Sequence, residues 1–172
     1  NYARELYELF TLGEGNGYNQ EDITETARAL TGYNRFKTSR GEIQFNENTF
    51  DKGSKTIFGQ TGNWGYNDVI DILFQEKEDL IADFICTKIY RYFVSPNIDT
   101  IIIADMIKTL KDNDFELLPL IKNLLKSDHF FDSLNSNVII KSPIDLMLGL
   151  HHSLAFIYDD NVDLVKNFKA KC

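Results

Sequence analysis

Apolar residues recur three or four positions apart along most of the chain, a spacing that predicts a protein built of short helices. Tyr2, Leu6, Leu9 and Phe10 mark a first helix over residues 1–12. On its other face Arg4 and Glu8 stand one turn apart, placed to pair. Gly13 ends this helix where a left-handed residue caps the last carbonyls, and Gly13–Gly17 is a turn-rich loop. Asn19 opens the second helix as an N-cap, with Asp22 three residues on able to return the bond. Ile23, Ala27 and Leu30 form its buried stripe, and Gly32 closes it.

The pattern then changes. Residues 33–64 are rich in Asn, Gly, Ser and Thr, and their apolar positions alternate. Glu42–Phe45 reads as a short strand, Lys55–Phe58 as its partner, and Asp51-Lys52-Gly53 as a turn between them. A stretch of this length with little regular structure inside a compact domain is functional or mobile.

Helical spacing returns at Asn67, expected to cap a helix carrying Val69, Ile70, Leu73 and Phe74. Leu80, Ile81, Phe84, Ile85, Ile89, Tyr92 and Phe93 give the strongest amphipathic stripe, broken by Ser95-Pro96-Asn97. Residues 98–110 are apolar on most sides and are expected to be buried. Asp114 is read as the cap of a helix over 115–125, with Pro119 either kinking it or moving its start. Ser142 and Pro143 fit the cap and first position of a further helix, and 160–171 a weak last one. The fold class is therefore mostly α: a single multi-helix domain over 1–172 with one small β-hairpin excursion at 33–64.

Composition narrows the classes of function. The chain has 172 residues, a net charge of −8 and a pI near 4.8. Phosphate backbones and anionic lipid surfaces want clustered Lys and Arg, so neither nucleic acid nor membrane docking is expected. No stretch reaches the roughly 18 apolar residues of a membrane span. Cys86 lies in an apolar stripe and Cys172 is the last residue; nothing in their spacing supports a disulfide.

Few residues announce chemistry. His151 and His152 are adjacent and so point to different sides of a helix, and His129 is remote in sequence, so no metal site is expected. The Gly13–Gly17 loop lacks the Lys-Ser/Thr of a phosphate-binding loop. With Glu14, Asn16, Asn19, Glu21 and Asp22 it leaves calcium as the one conceivable cofactor, although the spacing is not that of an EF-hand. Trp64, Tyr66, Tyr33, Phe36 and Phe50 make the excursion aromatic. Such a set either closes a satellite core under the loop or offers a sugar- or peptide-binding surface, and the energy of aromatic burial makes the core the first expectation.

Longer motifs carry a resemblance. Asn1–Gly13, Gly17–Asp22 and Ala27–Gly32 are similar to the signature of a bacterial family known as domain of unknown function eighteen hundred. The likeness continues at Asp51, Lys55 and Gly59, at Tyr90–Val94 and at Lys141-Ser142-Pro143. It implies a helical fold, a longer parent protein of which this is the C-terminal part, and export to the periplasm, outer cell envelope or extracellular space. It also implies a sulfatase-like envelope protein, encoded nearby, as a partner. Family members commonly carry a His-Asp pair where this chain has Phe50 and Asp51. The expected function is a binding or assembly module of the envelope, with Arg4, Asp22, Arg28, Lys55 and Trp64 as binding residues. The alternative is a hydrolase or lyase on an extracellular polymer, with Glu5, Glu8 or Asp51 as acid–base and Arg4 or Lys55 as electrophile. An enzyme needs these groups convergent and accessible. A framework needs them paired, because an unpaired buried charge is costly.

Overall fold

A computed structural model describes residues 2–34 and 43–154. The chain is mostly α-helical, as the periodicity predicts, and forms two compact units, 1–136 and 137–172.

The first unit begins with α1 (Tyr2–Glu5), which runs on as one π-helical stretch over Leu6–Thr11. The π turn widens the repeat, so Leu12 and Gly13 both donate their N–H to the Tyr7 carbonyl. This changes the buried face from the one expected. Ala3, Leu6, Tyr7 and Leu12 point inward, whereas Tyr2, Leu9 and Phe10 are exposed. Gly13 has φ +93° and ends the helix as predicted.

The helix α2 (Gln20–Ala29) has the expected capping box: Asn19 Oδ1 accepts from Asp22 N and Asp22 Oδ2 accepts from Asn19 N, both at 2.9 Å. Ile23 is buried, but its buried neighbours are Asp22, Thr26 and Ala29 rather than Ala27 and Leu30, which are half-buried.

The excursion pairs differently from the expectation. β1 (Tyr33–Asn34) lies antiparallel to β2 (Gln44–Phe45), with Tyr33 opposite Phe45. β3 (Lys55–Ile57) lies antiparallel to β4 (Gln60–Gly62), with Lys55 opposite Gly62. Residues 44–45 and 55–57 therefore do not pair with each other. The tight turn Phe58-Gly59, with φ of 49° and 84°, returns β3 onto its immediate successor, and positive φ at both central residues is the twist a two-residue hairpin favours.

The span α3 (Tyr66–Phe93) is broken by a kink at Lys77 (φ −130°, ψ 19°) into two helical halves. The break falls in the polar run 75–79, which holds no Pro or Gly. Its cap is not Asn67: Gly65 precedes the first turn, and its N–H donates to Asp68 Oδ2 at 2.8 Å. After Ser95-Pro96-Asn97, Asp99 caps α4 (Thr100–Asp112) through the N–H groups of Ile101 and Ile102. This helix is amphipathic rather than buried all round. Ile103, Met106 and Leu110 face inward and Ile101 is 79% exposed. Asp114 and Phe115 both have positive φ and close the end of α4 through N–H bonds to Lys111 and Leu110. Asp114 is thus the exit of one helix, not the cap of the next. The next, α5 (Leu117–Lys126), holds Pro119 in its first turn, so the proline moves the start and makes no kink.

Two apolar clusters hold this unit. One joins α1, α2, β3 and the first half of α3 around Tyr7, Ile23, Ile57 and Leu73. The other joins the second half of α3 to α4 and α5 around Cys86, Tyr90, Met106 and Leu120. Cys86 is a buried free thiol, and burial pushes its pKa up to about 12.

In the second unit α6 (Pro143–Ser153) starts as predicted. Ser142 Oγ accepts from Asp145 N at 3.1 Å, with Pro143 at the first helical position. The helix expected over 160–171, Cys172 and Phe36 lie outside the described residues.

Candidate functional site

The polar motif residues form three hydrogen-bonded groups, all within the first unit. At the first, the widened turn of α1 presents Glu8 beside Arg4. Arg4 Nη1 donates to Glu8 Oε1 at 2.9 Å and Arg4 Nη2 to Gln20 Oε1 at 2.6 Å. The Tyr18 hydroxyl donates to the same Glu8 oxygen at 3.1 Å and accepts from Gly15 N at 2.9 Å. Glu8 thereby ties α1 to the glycine loop.

The second group is Asp22, buried to 8% exposure. One carboxylate oxygen completes the capping box and the other accepts from Phe58 N at 2.9 Å. A cap of α2 thus also holds the turn of the second hairpin. Beneath it the hydroxyls of Tyr7 and Thr26 share a hydrogen bond. Burial, the largest cause, raises the Tyr7 hydroxyl to about 12.

The third group centres on Arg28 near the end of α2. Its Nε donates to Asp51 Oδ2 at 2.8 Å and its Nη2 to Asp51 Oδ1 at 3.3 Å. Its Nη1 reaches both oxygens of Glu25, at 2.9 and 2.7 Å, and the Ser54 carbonyl at 3.2 Å. Glu25 Oε2 also accepts from Thr56 N at 3.2 Å. Asp51 N donates to Thr31 Oγ1 at 2.8 Å, and Asp51 Oδ1 accepts from Gly53 N at 2.8 Å. The Arg28 bond, with help from Gly53 N–H, holds the Asp51 carboxyl down at about 2, and Arg28 itself is raised by Asp51 and then by Glu25.

Beside this pair Lys55 is 1% exposed. Its ammonium donates to the carbonyls of Asp51 (2.5 Å) and Gly53 (2.9 Å) and to Asn63 Oδ1 (3.2 Å), and sits 4.8 Å from the centre of the Phe50 ring. Three donors therefore meet three oxygens. Burial lowers the Lys55 pKa, against the pull of Asp51.

Among the residues singled out from sequence, Arg4 and Glu8 come together, and so do Arg28, Asp51 and Lys55. No hydrogen bond joins these two networks among the described residues. Glu5 is exposed on α1. Trp64 packs at the edge of the first core, and its indole N–H donates to the Gln60 carbonyl at 3.0 Å. Of the residues considered for calcium, Asn19 and Asp22 form the capping box and Asn16 Nδ2 donates to the Leu12 carbonyl at 3.0 Å, while Glu14 and Glu21 are exposed. Among the described residues no three His, Cys, Asp or Glu side chains converge as metal ligands. Glu25, Thr31 and Asn63 were not singled out. Glu25 had a local signal, three residues before Arg28 on one helix; Thr31 and Asn63 are brought in only by the pairing of the excursion.

Chemically, the group of Arg28, Asp51, Glu25 and Lys55 is hydrogen-bonded throughout, whereas Glu5 is exposed and Glu8 is half-buried. Every buried side-chain nitrogen and oxygen among the described residues has a partner. Asp51 is ionised and bound in a fork, and Lys55 offers no free lone pair while three acceptors hold its protons. The network does mechanical work: it fastens residues 51–63 to α2.

The sequence pattern of one family, described as "Protein of unknown function (DUF1800)", matches residues 1–170, so the chain belongs to that family. No curated protein and no solved structure matches it.

Proposed function

We propose that this member of the family is a binding or assembly module of an exported bacterial cell-envelope protein, and that its polar motif is framework rather than catalytic machinery. The observation that carries the reading is the saturation of Arg28, Asp51, Glu25 and Lys55 by one another and by backbone. A general acid or base needs a proton-transfer position open to substrate, and here those positions are taken by structural partners. Export, and the nearby-encoded sulfatase-like protein as partner, follow from the family resemblance. No described helix is long and apolar enough to cross a membrane.

Two measurements test the reading. The chain is titrated into the purified sulfatase-like protein by calorimetry, where saturable heat is expected. In parallel Glu8→Gln and Asp51→Asn are melted, where lower melting temperatures are expected. Polymer cleavage by the chain that Glu8→Gln abolishes, at an unchanged melting temperature, overturns the module in favour of a hydrolase or lyase.

A further inference from the structure

We propose that Asn16-Gly17, in the loop between α1 and α2, is a site of spontaneous succinimide formation, and that its conversion loosens that loop. It is the one place among the 172 residues where Asn precedes Gly. Both residues are exposed and lie outside helix and strand. Asn is thermolabile because the backbone nitrogen that follows it can attack its side-chain carbonyl carbon. A helix interior forbids this by fixing that N–H on a carbonyl one turn back, and a bulky following side chain hinders it. Glycine brings no side chain and the widest choice of backbone angles. Among the described residues nothing accepts from Gly17 N–H, and the one hydrogen bond of the Asn16 side chain runs from Nδ2 to the Leu12 carbonyl at 3.0 Å. Other asparagines are guarded. Asn19, Asn46 and Asn63 hold Oδ1 on Asp22 N, Asn48 N and Lys55 Nζ, and Gln20, Glu47 and Trp64 follow them. Asn123 lies inside α5.

The fold itself requires the labile pair. Gly17 has φ +76°, and a Cβ there would collide with Leu80 Cδ1, so the position is closed to other residues. Asn16 supplies a donor to a carbonyl at the end of the first helix, one of the groups a helix leaves unsatisfied.

The chemistry needs water alone. Gly17 N gives up its proton and attacks Asn16 Cγ. The N–Cγ bond forms, the Cγ–Nδ2 bond breaks, and the nitrogen leaves as ammonia with the proton returned by water. Water then opens the ring. Cleavage of the new N–Cγ bond leaves an ordinary aspartate. Cleavage between Gly17 N and the main-chain carbonyl carbon leaves isoaspartate, whose backbone is one carbon longer. Both products lose the donor to the Leu12 carbonyl and set a carboxylate against the negative end of a helix. Isoaspartate also displaces Gly17, which has no room against Leu80, and Tyr18, whose hydroxyl joins Gly15 N to Glu8. The tie between α1 and the glycine loop is thereby weakened.

The test is incubation of the intact, folded chain in mildly alkaline buffer at physiological temperature. Isoelectric focusing, mass mapping of the tryptic peptide 5–28 and enzymatic methylation of isoaspartyl carboxylates then follow the product. Asn19 lies in the same peptide and serves as internal control. The expected result is a band more acidic by a single charge, an amide-to-acid mass change at Asn16 several-fold faster than at Asn19, and methylation of the peptide. The rate rises with pH, because the attacking nitrogen must lose its proton. Asn16→Gln removes the band, since the larger ring closes more slowly, and circular dichroism checks that the variant is folded. The site-resolved masses of the unaltered chain decide the matter even where the variant unfolds. The converted chain melts below the fresh one. An Asn16 that stays intact in the folded chain while the urea-unfolded chain converts overturns the proposal, because the Leu12 bond then guards the site. So does equal conversion at Asn19, a band that persists in folded Asn16→Gln, or full conversion at an unchanged melting temperature.

Discussion

Replacing Lys55 by Met removes the cation from the centre of the cage and keeps most of its apolar stem. The side chain is 1% exposed, so its loss is felt by whatever it leaves behind. Three oxygens lose a donor: the carbonyls of Asp51 and Gly53 and the amide of Asn63. A buried acceptor left without a partner costs about 1–3 kcal/mol. Gly53 and Asn63 are exposed, so water replaces the lysine there at small cost, and the Asp51 carbonyl carries most of the penalty. The ring contact with Phe50 adds about 0.5–2 kcal/mol. Against this, the variant no longer buries a charge, which returns part of the loss. The net expectation is a destabilisation of about 2–3 kcal/mol, or roughly 4–12 °C in melting temperature for a chain of this size. Urea unfolding followed by circular dichroism measures it, with an unchanged denaturant slope as the check that only stability has moved. A loss under about 0.5 kcal/mol, or a gain, means that the cage does not hold the excursion, and the framework argument then fails at its best-defined point.

Other outcomes follow from the same contacts. Asp51 has a folded pKa held below its ordinary value, so its contribution is present above about pH 4 and is lost as pH falls toward about 2; Asp51→Asn removes that acid limb from a plot of stability against pH. Tyr7 is raised from 10.0 to about 12, so its contribution is present below pH 10 and lost as pH rises through 12; Tyr7→Phe flattens this alkaline limb in urea titrations. Lys55 is lowered, so the unfolded chain binds the extra proton and this term rises with pH below 10.5, opposite in sign to Tyr7; Lys55→Met removes it. Glu8→Gln keeps the shape but weakens the bonds from Arg4 and Tyr18, and lowers stability by about 1 kcal/mol, read in the melting temperature. Gly32→Ala forces a left-handed residue against Phe45 and costs about 1–2 kcal/mol in urea unfolding.

The features legible in the sequence are those decided within four or five residues. The Asn19–Asp22 box, the Arg4–Glu8 pair, the Gly13 stop and the Ser142-Pro143 start depend on neighbours one turn away, and all are present. What failed to show is decided at longer range or by a change of helical phase. The π turn after Glu5 needs one extra residue per turn, which no periodicity count detects, and it moved Leu9 and Phe10 to the surface. The strands have two or three residues each, too short for alternation to set a register. Their partners are chosen by bonds such as Asp22 to Phe58 N, 36 residues apart, and Arg28 to Asp51, 23 apart. The candidate polar residues were legible as a set, but their grouping into separate networks was not, because the grouping follows from that pairing.

The direction of these long-range bonds carries the functional argument. Asp22, Glu25 and Arg28 all lie on α2, and each reaches into the excursion: to Phe58 N, to Thr56 N and to the Asp51 carboxylate. Lys55 then closes the loop onto Asp51, Gly53 and Asn63. A helix needs no such bonds for its own stability, so what they stabilise is the excursion. Four charged residues are committed to holding one irregular segment in one shape, although each exposed ion pair alone contributes only about 0–1 kcal/mol. Their value lies in position: together they fix residues 51–63 against α2, with the Lys55 ammonium 4.8 Å from the centre of the Phe50 ring. On this reasoning the motif residues are framework for that segment, which is what the proposed binding module requires of them.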